Sequence, residues 1–361
     1  MNKPRQYNRR KVTLKDVAAY IGVSHTTISN AYIRPNQLSV ELRKKILLAA
    51  QELGYTGPDP AAKQLATGRS GVIGFLFSED LPYAFSDPAL RAVLQGVALS
   101  CNTLKTDLTL ISASNNLQNI DHPVSLGNAA VDGYILYSVA PDNRCILMAQ
   151  QRNVPLVVID QPRLSNIPYI GIDDRKAAYQ AAQYLLGLGH RKFGIISLKT
   201  AHDNYNGVLT KQRRHNITHS TIAMRLEGYL AACTEAGLSA EAIPIWETAI
   251  NSKEQGKEGA LFLNNSSSPP TAILAMSDCL ALGAMEHFRS AGFSIPQDLS
   301  IFGFDDIPEA HSAGLTTVHQ PHEQKGIAAV QLLTQQTTRD NISLPTRLVI
   351  RNSTGPAPHK K

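Results

Sequence analysis

The 361-residue sequence predicts two kinds of structure in succession: a small all-α unit of three helices, then a larger α/β unit with two doubly wound parallel sheets. Residues 12–57 show apolar residues at helical spacing between glycine stops. From Gly71 onward, short apolar runs alternate with amphipathic stretches, which is typical of parallel strands covered on both faces. The apolar runs are more numerous than the strands that one doubly wound sheet usually holds, so two sheets are expected, with the boundary between them near Pro168.

Residues 13–32, TLKDVAAYIGVSHTTISNAY, indicate two short helices joined by a tight turn, a helix-turn-helix. Thr13 can cap the first helix, Gly22 ends it, and Ser24 can cap the second. The side chains left facing outward on the second helix are His25, Thr26, Ser29 and Asn30. A helix packed by one face, with small polar groups on the other, suits the major groove of DNA. An ordinary helical hairpin with a solvated face fits the same pattern.

A third helix is predicted over residues 40–53, between a capping serine and a terminal glycine. Its outer face is basic, and residues 1–70 hold twelve Lys and Arg against four Asp and Glu, a net charge of +8, whereas the whole chain carries +6. A basic unit attached to a slightly acidic body is the electrostatic footprint expected for a polyanion partner. Residues 1–11 are interpreted as a disordered basic arm, which either touches phosphates or only aids solubility.

Residues 58–70 predict a hinge segment that becomes helical only against a partner. Asp59 can cap it and Pro60 suits the first helical position, so a short helix would run to Thr67. Isolated, eight residues are too few to hold a helix in water. Leu65 is its one bulky apolar side chain. A featureless linker is the alternative interpretation.

Nine apolar runs predict the strands of the body. They span residues 72–77, 108–113, 133–138, 155–160, 169–173, 192–198, 272–276, 300–306 and 347–351. The polar, basic and aperiodic residues 199–219 favour an exposed loop. Residues 352–361 are predicted to be a disordered tail.

Searches for catalytic and metal-binding motifs fail. The chain has no glycine-rich dinucleotide fingerprint, P-loop, nucleophile elbow or zinc-protease motif. Its four cysteines are far apart, no run approaches the roughly 18 apolar residues of a membrane span, and no secretory signal opens the chain. We therefore expect a cytoplasmic protein that is not an enzyme, with no cofactor, no metal and no membrane contact.

The chain resembles the LacI/GalR (lactose-repressor) family of transcriptional regulators over nearly its full length. The N-terminal motifs that carry the resemblance are TLKDVAAYIGVSHTTIS, LSVELRKKILLAAQELGY and PDPAAKQLATGRSGVIG. The body motifs are VDGYILYS, VPLVVID, DDRKAAYQAAQYLLGLGHRKFGII, MRLEGYLAA, AILAMSDCLALGAME and DLSIFGFDDIP.

The resemblance implies a homodimer that binds a palindromic DNA operator through the headpiece, residues 12–57. It places base readers at His25, Thr26 and Asn30, and makes Leu65 a wedge in the minor groove, which agrees with a lone apolar side chain on a conditional helix. Asn30 replaces the family's frequent arginine, so the preferred bases are expected to differ. The residues expected to contact phosphates are Thr13, Ser24, Ser29 and Asn36.

The body, residues 71–351, resembles periplasmic sugar-binding proteins, with two lobes around an effector-binding cleft. The resemblance implies lobe 1 at about 71–168 plus 303–325, and lobe 2 at about 169–302 plus 326–351. The residues expected to contact the effector are Phe85, Asp160, Arg225, Trp246, Asn251 and Asp278. An arginine and an aspartate suit the neighbouring hydroxyls of a sugar, and an aromatic ring could stack on a sugar or nucleoside. Core packing is the alternative role for Trp246.

We expect allosteric control, because an effector that changes the angle between the lobes would move the paired hinges and change operator affinity. Inducer and corepressor are both allowed. Asp305 and Asp306 are predicted to brace the crossover between lobes. After Arg351 no leucine heptad remains, so a dimer is expected rather than a tetramer. The competing readings are a sugar-binding protein and a two-lobed metabolic enzyme, neither of which regulates DNA.

Overall fold

The computed structural model describes residues 12–57, 68–113, 129–335 and 340–358. The chain divides into two compact units, Met1–Ser70 and Gly71–Lys361. The predicted basic arm and the conditional hinge helix, including Leu65, lie outside the described residues.

The headpiece consists of three helices, as predicted: α1 (Leu14–Ile21), α2 (His25–Ile33) and α3 (Val40–Leu53). Their shared core is formed by apolar side chains from all three helices, with Val17, Ile28 and Ile46 fully buried. The predicted caps are present, since Thr13 and Asp16 form a capping box and the Ser24 and Ser39 hydroxyls each accept a backbone N–H. Gly22 and Gly54 end α1 and α3 in left-handed conformations, which glycine adopts without steric cost.

Thirteen strands lie in the described part of the body. In chain order, β1 to β13 are Val72–Phe77, Asp107–Ser112, Gly133–Tyr137, Leu156–Ile159, Tyr169–Gly171, Phe193–Ser197, Gly207–Val208, Ile245–Glu247, Ala272–Ala275, Ser300–Phe302, Thr317–His319, Ile342–Ser343 and Arg347–Val349. The helices α4 to α13 are Tyr83–Ser86, Pro88–Leu104, Arg144–Gln151, Asp174–Gly187, Lys211–His215, Ser220–Glu235, Lys253–Asn264, Asp278–Ser290, Pro308–Ala313 and His322–Gln335.

The strands form two main sheets, one for each lobe, as the alternating pattern predicts. Lobe 1 has a parallel six-stranded sheet in the order β12-β5-β4-β3-β1-β2. Lobe 2 has five strands in the order β10-β9-β6-β8-β7, parallel except at β7. The antiparallel pair β11-β13 packs against the lobe 2 core through Val318 and Leu348.

Helix α13 belongs to lobe 1, where it crosses α5 at very short range. A Cβ on Gly96 would lie 2.0 Å from the carbonyl oxygen of Glu323, and one on Gly326 would lie 2.1 Å from that of Val93. Only glycine permits this approach, which seats Ala329 and Val330 in the lobe 1 core.

The predicted division of residues 303–351 between the lobes is wrong. Residues 303–319 pack on lobe 2, because Phe304, Leu315 and Val318 lie in its cores. Helix α13 and strand β12 belong to lobe 1, as does β5, which was assigned to lobe 2. The described chain therefore crosses between the lobes three times, after β5, after β11 and after β12.

Two segments predicted to be irregular are ordered parts of lobe 2. Residues 199–219 contain β7 and α8, and Arg213 pairs with the fully buried carboxylate of Glu247 at 2.8 Å. In the predicted tail, Ser353 is buried; its hydroxyl donates to the Ile301 carbonyl at 2.6 Å and accepts the Thr316 N–H at 2.8 Å. Such bonds depend on tertiary partners, which local composition does not reveal.

We predict that Ser353→Ala lowers the free energy of unfolding of the body by about 1–3 kcal/mol, because it leaves a buried N–H and a buried carbonyl without partners. Urea denaturation followed by fluorescence of Trp246, the single tryptophan, measures the change. The exposed neighbour provides the control, since Asn352→Ala should leave the midpoint unchanged. Equal midpoints for both variants would restore the disordered-tail interpretation.

Candidate functional site

The exposed surface of α2 is narrower than the sequence predicts. His25 and Thr26 are exposed, whereas Ser29 and Asn30 are half-buried. The Asn30 amide donates a hydrogen bond to Oε1 of Gln37 at 3.2 Å, so one of its donors is already engaged. His25 and Thr26 are thus the two predicted base readers with the most accessible side chains.

Among the polar residues predicted to contact phosphates, some cap helices through their side chains and others have side chains accessible to solvent. Thr13 donates its hydroxyl to Asp16 at 2.7 Å, and the Ser24 hydroxyl accepts the Thr27 N–H at 3.0 Å. Both therefore stabilise helix starts, while Asn36 is exposed beyond α2. A helix start with free N–H groups is itself a favourable neighbour for a phosphate.

A cleft lies between the lobes of the body, at the carboxyl ends of their parallel strands, where α/β folds place ligands. The empty space inside it is about 960 Å³, counting the part that is open to solvent. Lobe 1 lines it with residues that follow β1, β3 and β4, and lobe 2 with residues that follow β6, β8 and β10.

Three polar contacts bridge the lobes around this cleft. Asn251 donates to Oδ2 of Asp87 at 2.8 Å, and the Thr221 hydroxyl donates to Oε1 of Gln161 at 3.1 Å. Lys199 forms a salt bridge with Glu79. These side chains connect loops of one lobe to loops of the other, so opening the cleft would break them.

Arg225 is the buried cation of the lobe 2 wall. From α9, its Nε donates to Asp174 at 2.8 Å and its Nη1 to the Met276 carbonyl at 2.7 Å. The guanidinium carbon lies 3.8 Å from the centre of the Phe304 ring, a cation–π contact. This fixed, planar donor borders the cleft.

Asp160 borders the cleft from lobe 1 and belongs to a buried polar chain. Lys325, which is fully buried, donates to Oδ1 of Asp160 at 2.6 Å and to Oε1 of Gln320 at 2.8 Å. The Gln320 amide donates in turn to Oδ1 of Asp305 at 2.7 Å. Asp305 therefore braces the crossover, as predicted, and also lines the cleft.

Asp160, Arg225 and Asn251 meet in the cleft, but three other predicted effector contacts are not among its lining residues. Phe85 is 65% exposed on α4. Trp246 packs its ring 5.0 Å from that of Phe262 and donates to Asn206, which is the packing role left open above. Asp278 is fully buried and accepts from the Thr317 hydroxyl and the Ile307 N–H, so it braces the crossover instead.

Gln161, His219 and His322 line the cleft but were not predicted. Gln161 is the second residue after β4, His219 precedes α9, and His322 begins α13. The position of Gln161 after a strand was a usable signal, because such positions face ligands in these sheets. No local signal marks the two histidines, since His219 reaches the cleft through the packing of lobe 2 and His322 through the crossover after β11.

Burial raises the pKa of both the Asp305 and the Asp278 carboxyl groups to about 7, and the charge of Asp305 adds to the effect on Asp278. The nearby Arg225 opposes the shift at Asp305. The cause is the same for both groups, because a buried carboxylate has lost the water that stabilises its charge.

A helix-turn-helix unit joined to a two-lobed α/β unit defines a class of DNA-binding transcriptional regulators. Residues 13–57 match the model of bacterial regulatory proteins of the lacI family, and residues 182–354 match a periplasmic binding protein-like domain. The HTH-type transcriptional regulator IpsA of Corynebacterium glutamicum is 41% identical over 345 residues, 95% of each chain. The chain belongs to the LacI family.

Solved structures show the same fold. A LacI-family regulator from Corynebacterium glutamicum superposes with a TM-score of 0.72 at 36% identity, covering 98% of this chain and 100% of that one. The lac repressor dimer bound to operator and an anti-inducer gives a TM-score of 0.76 at 24% identity, covering 96% and 100%. In the described residues no helix is long and apolar enough to cross a membrane, and no cluster of His, Cys, Asp or Glu suits a metal ion.

We predict that Asp305→Asn makes the stability of the body less dependent on pH between about 4 and 7. A folded-state pKa above the ordinary value near 4 means that the native state holds the extra proton in this range. The stabilisation that this proton gives to the native state is complete below pH 4 and is lost as the pH rises towards 7. The Asp305→Asn variant lacks this stabilisation.

Urea denaturation of both proteins at several pH values tests this prediction, and the difference between them isolates Asp305 from the buried histidines, which titrate with the opposite sign. Asp142→Asn, at an exposed position, is the control and should change nothing. Parallel pH profiles for wild type and Asp305→Asn would show that Asp305 does not titrate in this range.

Proposed function

We propose that the chain is a cytoplasmic, homodimeric repressor that binds a palindromic operator and is controlled by a small-molecule effector in the cleft. The observation that carries this proposal is the polar cleft itself, which lies between two lobes of a chain that also bears a helix-turn-helix headpiece. Family membership and the shared fold with the lac repressor dimer on operator support the DNA, dimer and repressor parts.

On the DNA side, we assign base reading to His25 and Thr26, with Asn30 as a third reader, whose second amide N–H and carbonyl oxygen are not engaged by Gln37. Thr13, Ser24, Ser29 and Asn36 would contact phosphates, which position the headpiece without reading sequence. Leu65 as a minor-groove wedge remains a prediction, since it lies outside the described residues.

On the effector side, Asp160, Arg225 and Asn251 are the predicted contacts that the cleft retains. Asn251 already holds Asp87 of the opposite lobe, so a ligand that engages Asn251 competes with or reinforces a bridge between lobes. Three crossing segments allow the lobes to change their angle while staying connected. An effector shifts this equilibrium only through different affinities for the two arrangements.

In vitro selection of duplexes by the full chain, followed by titration of the selected duplex with and without candidate sugars, tests the proposal. We expect a palindromic consensus, a dimer in sedimentation, and an operator affinity that one sugar changes at least about fivefold, the lower end of typical allosteric couplings. A fall in affinity identifies an inducer and a rise a corepressor. An affinity that no bound ligand changes would reject effector control.

We also predict that His25→Ala weakens binding to the selected duplex by about 1–3 kcal/mol, because an accessible base contact is lost. Binding to a scrambled duplex of equal length should stay the same, since phosphate contacts dominate it. Fluorescence anisotropy on both duplexes provides the comparison. A similar loss on both would show that His25 contacts the backbone rather than a base.

A further inference from the structure

Three side chains in the cleft keep buried polar atoms that have no hydrogen-bond partner in the described part of the chain. They are Nε2 of Gln161 and both ring nitrogens of His219 and of His322. Nε2 of His322 lies 3.6 Å from Oδ1 of Asp305, and the Thr200 backbone lies near the His219 ring, but neither approach has the geometry of a hydrogen bond. The residues are 1%, 4% and 7% exposed, so water does not freely reach these atoms. An unpaired buried donor or acceptor costs roughly 1–3 kcal/mol, which a ligand that supplies the partner would recover.

These atoms come from both lobes. Gln161 and His322 belong to lobe 1, and His219 to lobe 2. The Gln161 amide is oriented, because its oxygen accepts from the N–H and the hydroxyl of Thr221 and so leaves Nε2 as a donor. A ligand touching all three side chains would join the lobes.

Both imidazoles are neutral at physiological pH. Burial lowers the pKa of His322 to about 3, and burial also lowers the pKa of His219. A neutral imidazole offers one N–H donor and one bare nitrogen acceptor. A hydroxyl group is also both donor and acceptor, so it can pair with either nitrogen.

The charged side chains of the cleft are already engaged by protein groups. Lys199 pairs with Glu79, Arg225 with Asp174, and Asp160 with Lys325. The remaining carboxylates also have partners: Asp87 accepts from Tyr83 and Asn251, and Asp305 accepts from Gln320.

The lining therefore offers an anion no unpaired cation. It contains four carboxyl side chains, those of Glu79, Asp87, Asp160 and Asp305, against two cationic ones, those of Lys199 and Arg225. Even with Asp305 protonated, the carboxylates outnumber the cations. A phosphate or carboxylate entering it would meet excess negative charge and would lose its hydration without compensation.

We infer that the effector is an uncharged, polyhydroxylated small molecule, and that Gln161, His219 and His322 recognise its hydroxyl groups. This inference rests on the proposed function, since it assumes that the cleft is the effector site. It excludes phosphorylated sugars, sugar acids and nucleotides as effectors.

Thermal-shift measurements on the full chain with paired ligands test the chemical class. The probes are glucose with glucose 6-phosphate, ribose with ribose 5-phosphate, and galactose with galacturonate, extended to neutral di- and oligosaccharides and linear and cyclic polyols. At least one neutral compound should raise Tm, because a ligand that binds only the native state stabilises it, while an anionic counterpart should not. A larger shift with an anionic member, or no shift with any neutral member, would overturn the inference.

The neutral ligand that raises Tm then tests the residues. His219→Phe and His322→Phe keep an aromatic ring but remove the nitrogens, and each should weaken binding about tenfold in calorimetry. Without ligand their Tm should be unchanged or higher, because no protein hydrogen bond is lost. A merely structural role predicts the reverse, a lower Tm with ligand affinity retained.

His287→Phe is the matched control, since its Nε2 is also buried without a partner but lies on α11, outside the cleft. Its ligand affinity should equal that of the wild type. A neutral ligand that binds through these histidines yet leaves operator affinity unchanged would reject the proposed function while supporting this inference.

Discussion

A fully buried ammonium group, that of Lys325, connects several segments of the body. An ammonium group without a partner in a protein interior would cost several kcal/mol, so the surrounding chain must supply acceptors at defined positions. Lys325 obtains them from the end of β4, through Asp160, and from the second crossover, through Gln320. Gln320 then holds Asp305 beyond β10. The Lys325 charge thereby fixes the relative positions of three segments. These are the end of β4 in lobe 1, the second crossing segment and the lobe 2 side of the cleft.

The headpiece was predictable because the residues that start, end and bury each of its helices lie within or next to that helix in the sequence. Thr13, Gly22 and Ser39 act on their own helices, and the apolar spacing around Ile46 marks the buried face directly. The central strands of the body were predictable for the same reason. Strands β7 and β12, of two residues each, carry no usable periodicity, and they exist because a neighbouring strand pairs with them.

The candidate site was less predictable, because the sequence shows which side chains are present but not where each one points. Asp160, Arg225 and Asn251 line the cleft, whereas Trp246, one residue into a short strand, faces α10 and Phe262. Asp278 was placed at the effector, yet Thr317 and the Ile307 N–H occupy its carboxylate. His322 entered the site only through the second crossover, whose path no local pattern specifies.

Because the chain crosses between the lobes three times, the last parts of lobe 1 are synthesised only after most of lobe 2. The main segment of lobe 2, from β6 to β11, is contiguous in the chain, but the lobe 1 sheet obtains its covering helix α13 and its edge strand β12 only from residues 322–343. During translation the apolar face that Ala329, Val330 and Leu333 later bury stays without α13 while about 150 further residues are made, for roughly 8–30 s. In that interval α5 covers this face of the parallel sheet without α13, so the part of the apolar face that α13 later buries is exposed to chaperones.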